Sequence, residues 1–189
     1  MRNVIKPAIV LFLTALIASL SLTLMREITK DRIAQNAIDE QRTAMNEVLP
    51  HAADGTFGDI IETGGTTGVL SYCEAIADGQ TTGYAIAVAA HGYGGMISML
   101  VGIDADGVVT GVRIIEHTET PGLGSNAANV GFLAQYDGKA GALTVTKSAP
   151  KDNEIQAITS ATITTKAVTS GVNEALAFYE TLQIEEGAQ

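Results

Sequence analysis

Pro7 to Met25 is a run of nineteen residues without a charge, P-A-I-V-L-F-L-T-A-L-I-A-S-L-S-L-T-L-M. As a helix it rises roughly 28 Å, close to the thickness of a bilayer core. Its Ser and Thr are compatible with that, since their hydroxyls can bond back to backbone carbonyls of the same helix. Arg2 and Lys6 precede the run, as they would in a secretory signal. No small-x-small cleavage site follows and no Cys stands behind the run, so a retained membrane anchor over residues 1–25 is the expectation. Arg26, Lys30 and Arg32 balance the charges at the other end, so positive charge alone does not orient the anchor.

Beyond the anchor, Ile28, Ile33, Ala37, Ala44, Val48 and Leu49 fall near one helical face, and Pro50 ends the pattern. Residues 26–50 therefore read as a helical stalk, with a docking face for a partner as the sharper alternative. The rest, residues 51–189, reads as one domain with no internal repeat or low-complexity linker. Gly55 to Gly68 has weak periodicity. Ser71–Ala77 and Tyr84–Ala90 read as strands joined by a turn holding Asp78-Gly79. Ile97–Ile103 and Val108–Ile115 flank Asp104-Ala105-Asp106-Gly107, a strong hairpin signal. The spacing of those aspartates invites a calcium-loop reading, but Ile115 stands where the twelfth-position Glu would be needed. A short helix is predicted over Ala127–Ala134 and a strand near Leu143–Val145. Pro150 to Glu154 reads as loop, a final helix runs from about Lys166 to Leu182, and the tail from Ile184 is expected to fray.

The net charge of -10 leaves no basic surface for nucleic acid. Cys73 is the single cysteine and can neither pair internally nor hold an iron–sulfur cluster alone, so a buried, inert thiol is expected. His51, His91 and His117 show no metal-ligand spacing. Hydrolase, zinc, Walker and dinucleotide motifs are missing from the sequence. His117 and Glu119 could pair as a base and its carboxylate, yet no nucleophile or oxyanion site accompanies them. No catalytic residue and no metal are assigned.

The stretch Gln156 to Val168 carries hydroxyls on five of its thirteen residues. It passes from a strand-like run to a helical one at Thr164 and Thr165. A Thr there suits a helix N-cap, and the N-terminal N–H groups of a helix also attract phosphate. Local chemistry leaves both readings open.

Two glycine-rich loops precede it, His91-Gly92-Tyr93-Gly94-Gly95 and His117-Thr118-Glu119-Thr120-Pro121-Gly122-Leu123-Gly124. Together G-Y-G-G, D-A-D-G, E-T-P-G-L-G and T-S-A-T-I-T resemble, in order and spacing, the covalent FMN-binding domain family. That family comprises the G subunit of the Rnf electron transport complex and the C subunit of the related sodium-translocating NADH:quinone oxidoreductase. The resemblance covers about Tyr84 to Leu182, the anchor extends it to the N-terminus, and the short length is more similar to the Rnf member of the pair. Two departures stand out: Ser160 replaces the usual Gly, and Gln156 replaces a common Asp. Ser should preserve the turn unless a positive φ is required.

The resemblance implies an α+β fold: a single N-terminal transmembrane helix, then one extracytoplasmic FMN-binding domain of antiparallel strands and flanking helices. It implies FMN joined to Thr164 through a phosphoester. Glu119, Thr120, Gly122, Leu123 and Gly124 are candidates for the flavin's surroundings, with Tyr93 and Gly94 behind them. Ser160, Ala161, Thr162 and Thr165 complete the attachment turn, and Lys166 could add a positive charge. The chain would be a redox subunit of a membrane-bound, ion-translocating ferredoxin:NAD oxidoreductase rather than a catalyst alone. Its partners would be the complex's other membrane, iron–sulfur and flavin subunits, membrane lipid, and a flavin transferase using FAD and magnesium. The alternatives are a stand-alone flavinylated carrier outside the cytoplasm, a cofactor-free anchored binding module, and a structural subunit that has lost attachment.

Overall fold

The computed structural model describes residues 11–17, 19–21, 42–50, 56–64 and 68–187, with side chains through residue 184. It divides into two units, 1–42 and 43–189. In the first, residues 11–17 and 19–21 are helical and exposed. There Thr14, Ser19 and Ser21 donate to the carbonyls of Leu11, Leu16 and Ile17, the back-bonding expected of a helix that carries hydroxyls. Among the described residues no helix is long and apolar enough to cross a membrane. Much of the predicted anchor, and the predicted stalk up to residue 41, lie outside them.

The second unit is built on an antiparallel sheet. Its long strands are β3 (Val69–Ala77), β4 (Gln80–His91), β5 (Met96–Asp104) and β6 (Val109–His117), paired in sequence order. Two short strands, β1 (Thr56–Phe57) and β2 (Ile61–Glu62), pair with β3 at the edge, where the sequence shows little periodicity. Asp104 fixes the β5–β6 turn, its carboxylate accepting the N–H groups of Asp106 and Val108 at 3.0 and 2.9 Å. That occupies the side chain which a calcium loop would have used.

Alternation along the strands gives the sheet two unlike faces. Ile86, Val88, Met99, Val101 and Ile103 point to one side and pack under the long helix α3 (Thr162–Gly187). Cys73, Ala75, Ala85 and Leu100 point to the other. Ala44, Met45, Val48 and Leu49, in and just after a helix over residues 42–48 (α1), cover that second face. The Cys73 thiol is fully buried, and burial pushes its pKa up to about 11, so it stays protonated and inert as expected.

Between β6 and α3 the chain forms a 3-10 turn at Gly124–Ala128, then α2 (Val130–Leu133), then a parallel pair, β7 (Thr144–Thr146) and β8 (Glu154–Gln156). The single helix predicted over 127–134 is thus two short pieces, and β8 begins where loop was expected. Polar contacts fasten α3 down. Tyr179 donates to the Ala105 carbonyl at 2.7 Å, Tyr136 and Thr169 share a hydrogen bond of 2.8 Å, and Asn173 bonds both the N–H and C=O of Leu143. The helix starts four residues before Lys166 and continues to Gly187, past the predicted end. Thr162, Ile163, Thr164 and Thr165 are β-branched and read locally as strand. Burial of Ala161, Thr164, Thr165 and Val168 decides for helix.

Candidate functional site

The turn that launches α3 is held from within. Ser160 has a φ of 65°, in the left-handed region, which explains a preference for Gly at this position. Ala161 N–H bonds the Ile158 carbonyl at 3.0 Å, closing the turn. Thr165 then staples it: its hydroxyl accepts the Ile158 N–H and donates to the Ala161 carbonyl, both at 3.1 Å. The first helical bond also runs from Thr165 N–H to Ala161 C=O, at 3.0 Å. Thr164 is therefore inside the first turn rather than the cap before it. The N–H groups of residues 162–164 precede that first bond and have no acceptor within the helix.

Thr164 is 1% exposed, and its hydroxyl donates to Glu119 Oε2 at 2.6 Å. Glu119 is itself only 6% exposed. Its other oxygen, Oε1, accepts the Gly94 N–H at 2.8 Å. Two loops and a helix start thus meet at one carboxylate. The glycines are there for space. A Cβ on Gly92 would stand 2.3 Å from Glu119 Oε1, and one on Gly124 would stand 2.2 Å from Oε2 and 2.8 Å from Thr164 Oγ1. His117 does not act as partner to the Glu119 carboxylate; its Nδ1 accepts the backbone N–H of Glu119 at 3.3 Å.

This cluster forms the wall of a cleft of about 410 Å³, within the range of small-molecule sites. Glu119, Thr120, Gly124 and Thr164 line it on one side with Ser160, Ala161 and Thr162. Tyr93, Leu123 and Ile163 add exposed apolar surface at its rim, Tyr93 at 72% exposure. Ile163 is the lining residue that the sequence did not suggest, and its place in the motif as the variable residue gave no signal. Gly94 contributes its N–H from behind Glu119, and Gly122 shapes the loop with a φ of 77°. Thr165 is wholly buried in the staple. Lys166 is exposed and lines a separate groove with Leu143, Val145 and Asn173.

A larger cleft, about 510 Å³, lies beside β6 and holds Thr110, Leu133, Asp137 and the Glu47–Arg113 ion pair. Burial raises the Asp137 carboxyl above its ordinary range. The hydroxyl–carboxylate bond is found in the smaller cleft, so chemistry rather than size marks the site. Among the described residues no cluster of side chains could hold a metal ion.

The residues present fit a flavin phosphate. They combine a hydroxyl, N–H groups at a helix start without an acceptor in the helix, and an apolar rim of Tyr93, Leu123 and Ile163. The family comparison agrees. Residues 92–177 match the FMN-binding domain family, and residues 1–48 match the RnfG N-terminal region. The chain is 37% identical over 96% of its length to the G subunit of the Na(+)-translocating ferredoxin:NAD(+) oxidoreductase complex of Acetobacterium woodii, spanning 94% of that protein. It is 38% identical over 88% of its length to the G subunit of the proton-translocating ferredoxin:NAD(+) oxidoreductase complex of Clostridium ljungdahlii, spanning 86% of it. A crystal structure of the C subunit of the Na(+)-translocating NADH-quinone reductase from Parabacteroides distasonis superposes with a TM-score of 0.49 and 25% identity, over 58% of this chain and 60% of that one. The chain belongs to the RnfG family, the G subunits of ion-translocating oxidoreductase complexes, and carries an FMN-binding domain.

Proposed function

We propose that this protein is the electron-carrying G subunit of a membrane-bound, ion-translocating ferredoxin:NAD oxidoreductase, with FMN joined to Thr164 through a phosphoester. The observation that carries the reading is the Thr164 hydroxyl, held at 2.6 Å from a buried carboxylate in the first turn of α3. The Thr164 oxygen is the point of attachment. The N–H groups of residues 162–164 would hold the phosphate, aided by the helix dipole. Tyr93, Leu123 and Ile163 offer the ring an apolar rest at the cleft mouth. FMN supplies the redox chemistry; the chain supplies attachment, orientation and partial exclusion of water.

The uncharged run from Pro7 to Met25 supports an anchor, and the resemblance to the family supports a domain on the extracytoplasmic side. There a tether prevents loss of a cofactor that free solution would not replace. The names of the relatives support the other subunits of the complex as partners. A separate flavin transferase is required for maturation, and membrane lipid surrounds the anchor.

The test is flavin fluorescence in a denaturing gel after co-expression with a flavin transferase. The wild-type band fluoresces and Thr164→Ala is dark. A dark wild-type band, with the transferase active on another acceptor, would overturn the covalent reading.

A further inference from the structure

We propose that Glu119 is the general base for flavin attachment, taking the proton from Thr164 Oγ as that oxygen attacks phosphorus. The proposal rests on attachment at Thr164. A threonine hydroxyl is a weak nucleophile unless a neighbouring base removes its proton. The base must lie within hydrogen-bond reach of that proton, about 2.6–3.2 Å between heavy atoms. Glu119 Oε2 meets that condition at 2.6 Å before any flavin donor arrives.

The surroundings show that the carboxylate is fixed for this contact. Burying a carboxylate is costly unless its oxygens are bonded. Glu119 divides them: Oε1 takes the Gly94 N–H, which locks the side chain, and leaves Oε2 for Thr164. Gly92 and Gly124, each without a Cβ, make the slot in which the two oxygens sit. No other side chain of the described residues bonds the Thr164 hydroxyl. His117 is occupied by the Glu119 backbone, and Lys166 lines a different groove.

The step balances with flavin adenine dinucleotide as donor, presented by a magnesium-dependent transferase. A bond forms between Thr164 Oγ and the flavin-side phosphorus. The pyrophosphate P–O bond on that phosphorus breaks, and adenosine monophosphate leaves with the bridging oxygen. The hydroxyl proton goes to Glu119, and nothing is oxidised or reduced.

The test uses the full-length chain purified in detergent without flavin, then mixed with purified transferase, flavin adenine dinucleotide and magnesium. Initial rates of covalent labelling are read by in-gel fluorescence, and folding by thermal melting. Glu119→Gln keeps the shape and an acceptor for Gly94 but removes the base. It is expected to slow labelling about 100-fold or more. Glu119→Ala, with formate added to fill the space, is expected to regain at least about tenfold, since a small carboxylate can serve as the base; a packing role would not respond. Labelling of Glu119→Gln within about threefold of wild type would overturn the proposal, on the same scale of base contributions. So would a folded Glu119→Ala that ignores formate. If Glu119→Gln does not fold, the formate experiment decides. Thr164→Ala separates the two readings: wild type labelled and Thr164→Ala dark, with Glu119→Gln fast, rejects the base and keeps the attachment. Labelling of Thr164→Ala rejects the attachment itself.

Discussion

Of the places where a described glycine faces a neighbour that leaves no room for a Cβ, two make a contrast. Under α1, a Cβ on Gly102 would lie 2.1 Å from the Val48 carbonyl oxygen, and one on Gly111 would lie 2.9 Å from Val48 Cα. At the cleft, Cβ atoms on Gly92 and Gly124 would run into the two oxygens of Glu119. At the first place main chain meets main chain at the floor of the larger cleft, and the Thr110 hydroxyl donates to the Val48 carbonyl at 2.5 Å. The second surrounds a carboxylate and a hydroxyl beside open space. Removing a Cβ lets main chains touch in one case and houses a polar pair in the other. Packing alone explains the first. It does not explain the second, because apolar neighbours would fill the same space without the cost of burying a carboxylate.

The comparison can be broken by substitution. Gly102→Ala should act on stability, since the obstructing atom is backbone and cannot swing away. A loss of about 3 kcal/mol is expected from overpacking, lowering the melting temperature roughly 6–12 °C. Covalent flavin per folded molecule should be unchanged. Gly124→Ala should do the reverse. The obstructing atoms belong to side chains, Glu119 Oε2 at 2.2 Å, Thr164 Oγ1 at 2.8 Å and Glu119 Cβ at 2.9 Å, so the bonded pair is displaced at a stability cost of about 2 kcal/mol. The displaced pair should then label about 100-fold more slowly, the usual penalty for misplacing reacting groups by an ångström. Equal loss of labelling in both variants would erase the distinction. The smallest effect is expected at Ser160. Ser160→Gly relieves a left-handed residue and should stabilise the domain by about 1 kcal/mol, raising the melting temperature roughly 2–4 °C. No change, or a loss, would show that the Ser side chain contributes more than its backbone costs.

Local signals in the sequence carried the hairpins well. Asp104-Ala105-Asp106-Gly107 marks a turn because the Asp104 side chain bonds the N–H groups that follow it, all within five residues. The same locality misled at the start of α3. A β-branched run reads as strand, and burial of Thr164 and Thr165, with their bonds to Glu119 and to the preceding turn, accompanies the helix instead. The site itself was legible in parts. Both glycine-rich loops and the hydroxyl-rich stretch were identifiable as pieces, and the family resemblance linked them. The bond between Glu119 and Thr164 was not, because 45 residues separate the two and no local pattern encodes it. The positive φ at Ser160 was anticipated as a condition and became visible only in the turn.

The most direct measurement is a fragment mass spectrum of the tryptic peptide Asp152–Lys166 from the full-length chain matured with its transferase. That peptide holds five hydroxyl residues, Thr159, Ser160, Thr162, Thr164 and Thr165, so total mass alone does not assign the bond. The account predicts a mass increase of FMN less water on fragments containing Thr164, and none on fragments ending before it. The same increase on Thr162 or Thr165, or an unmodified peptide from fully matured protein, would contradict it.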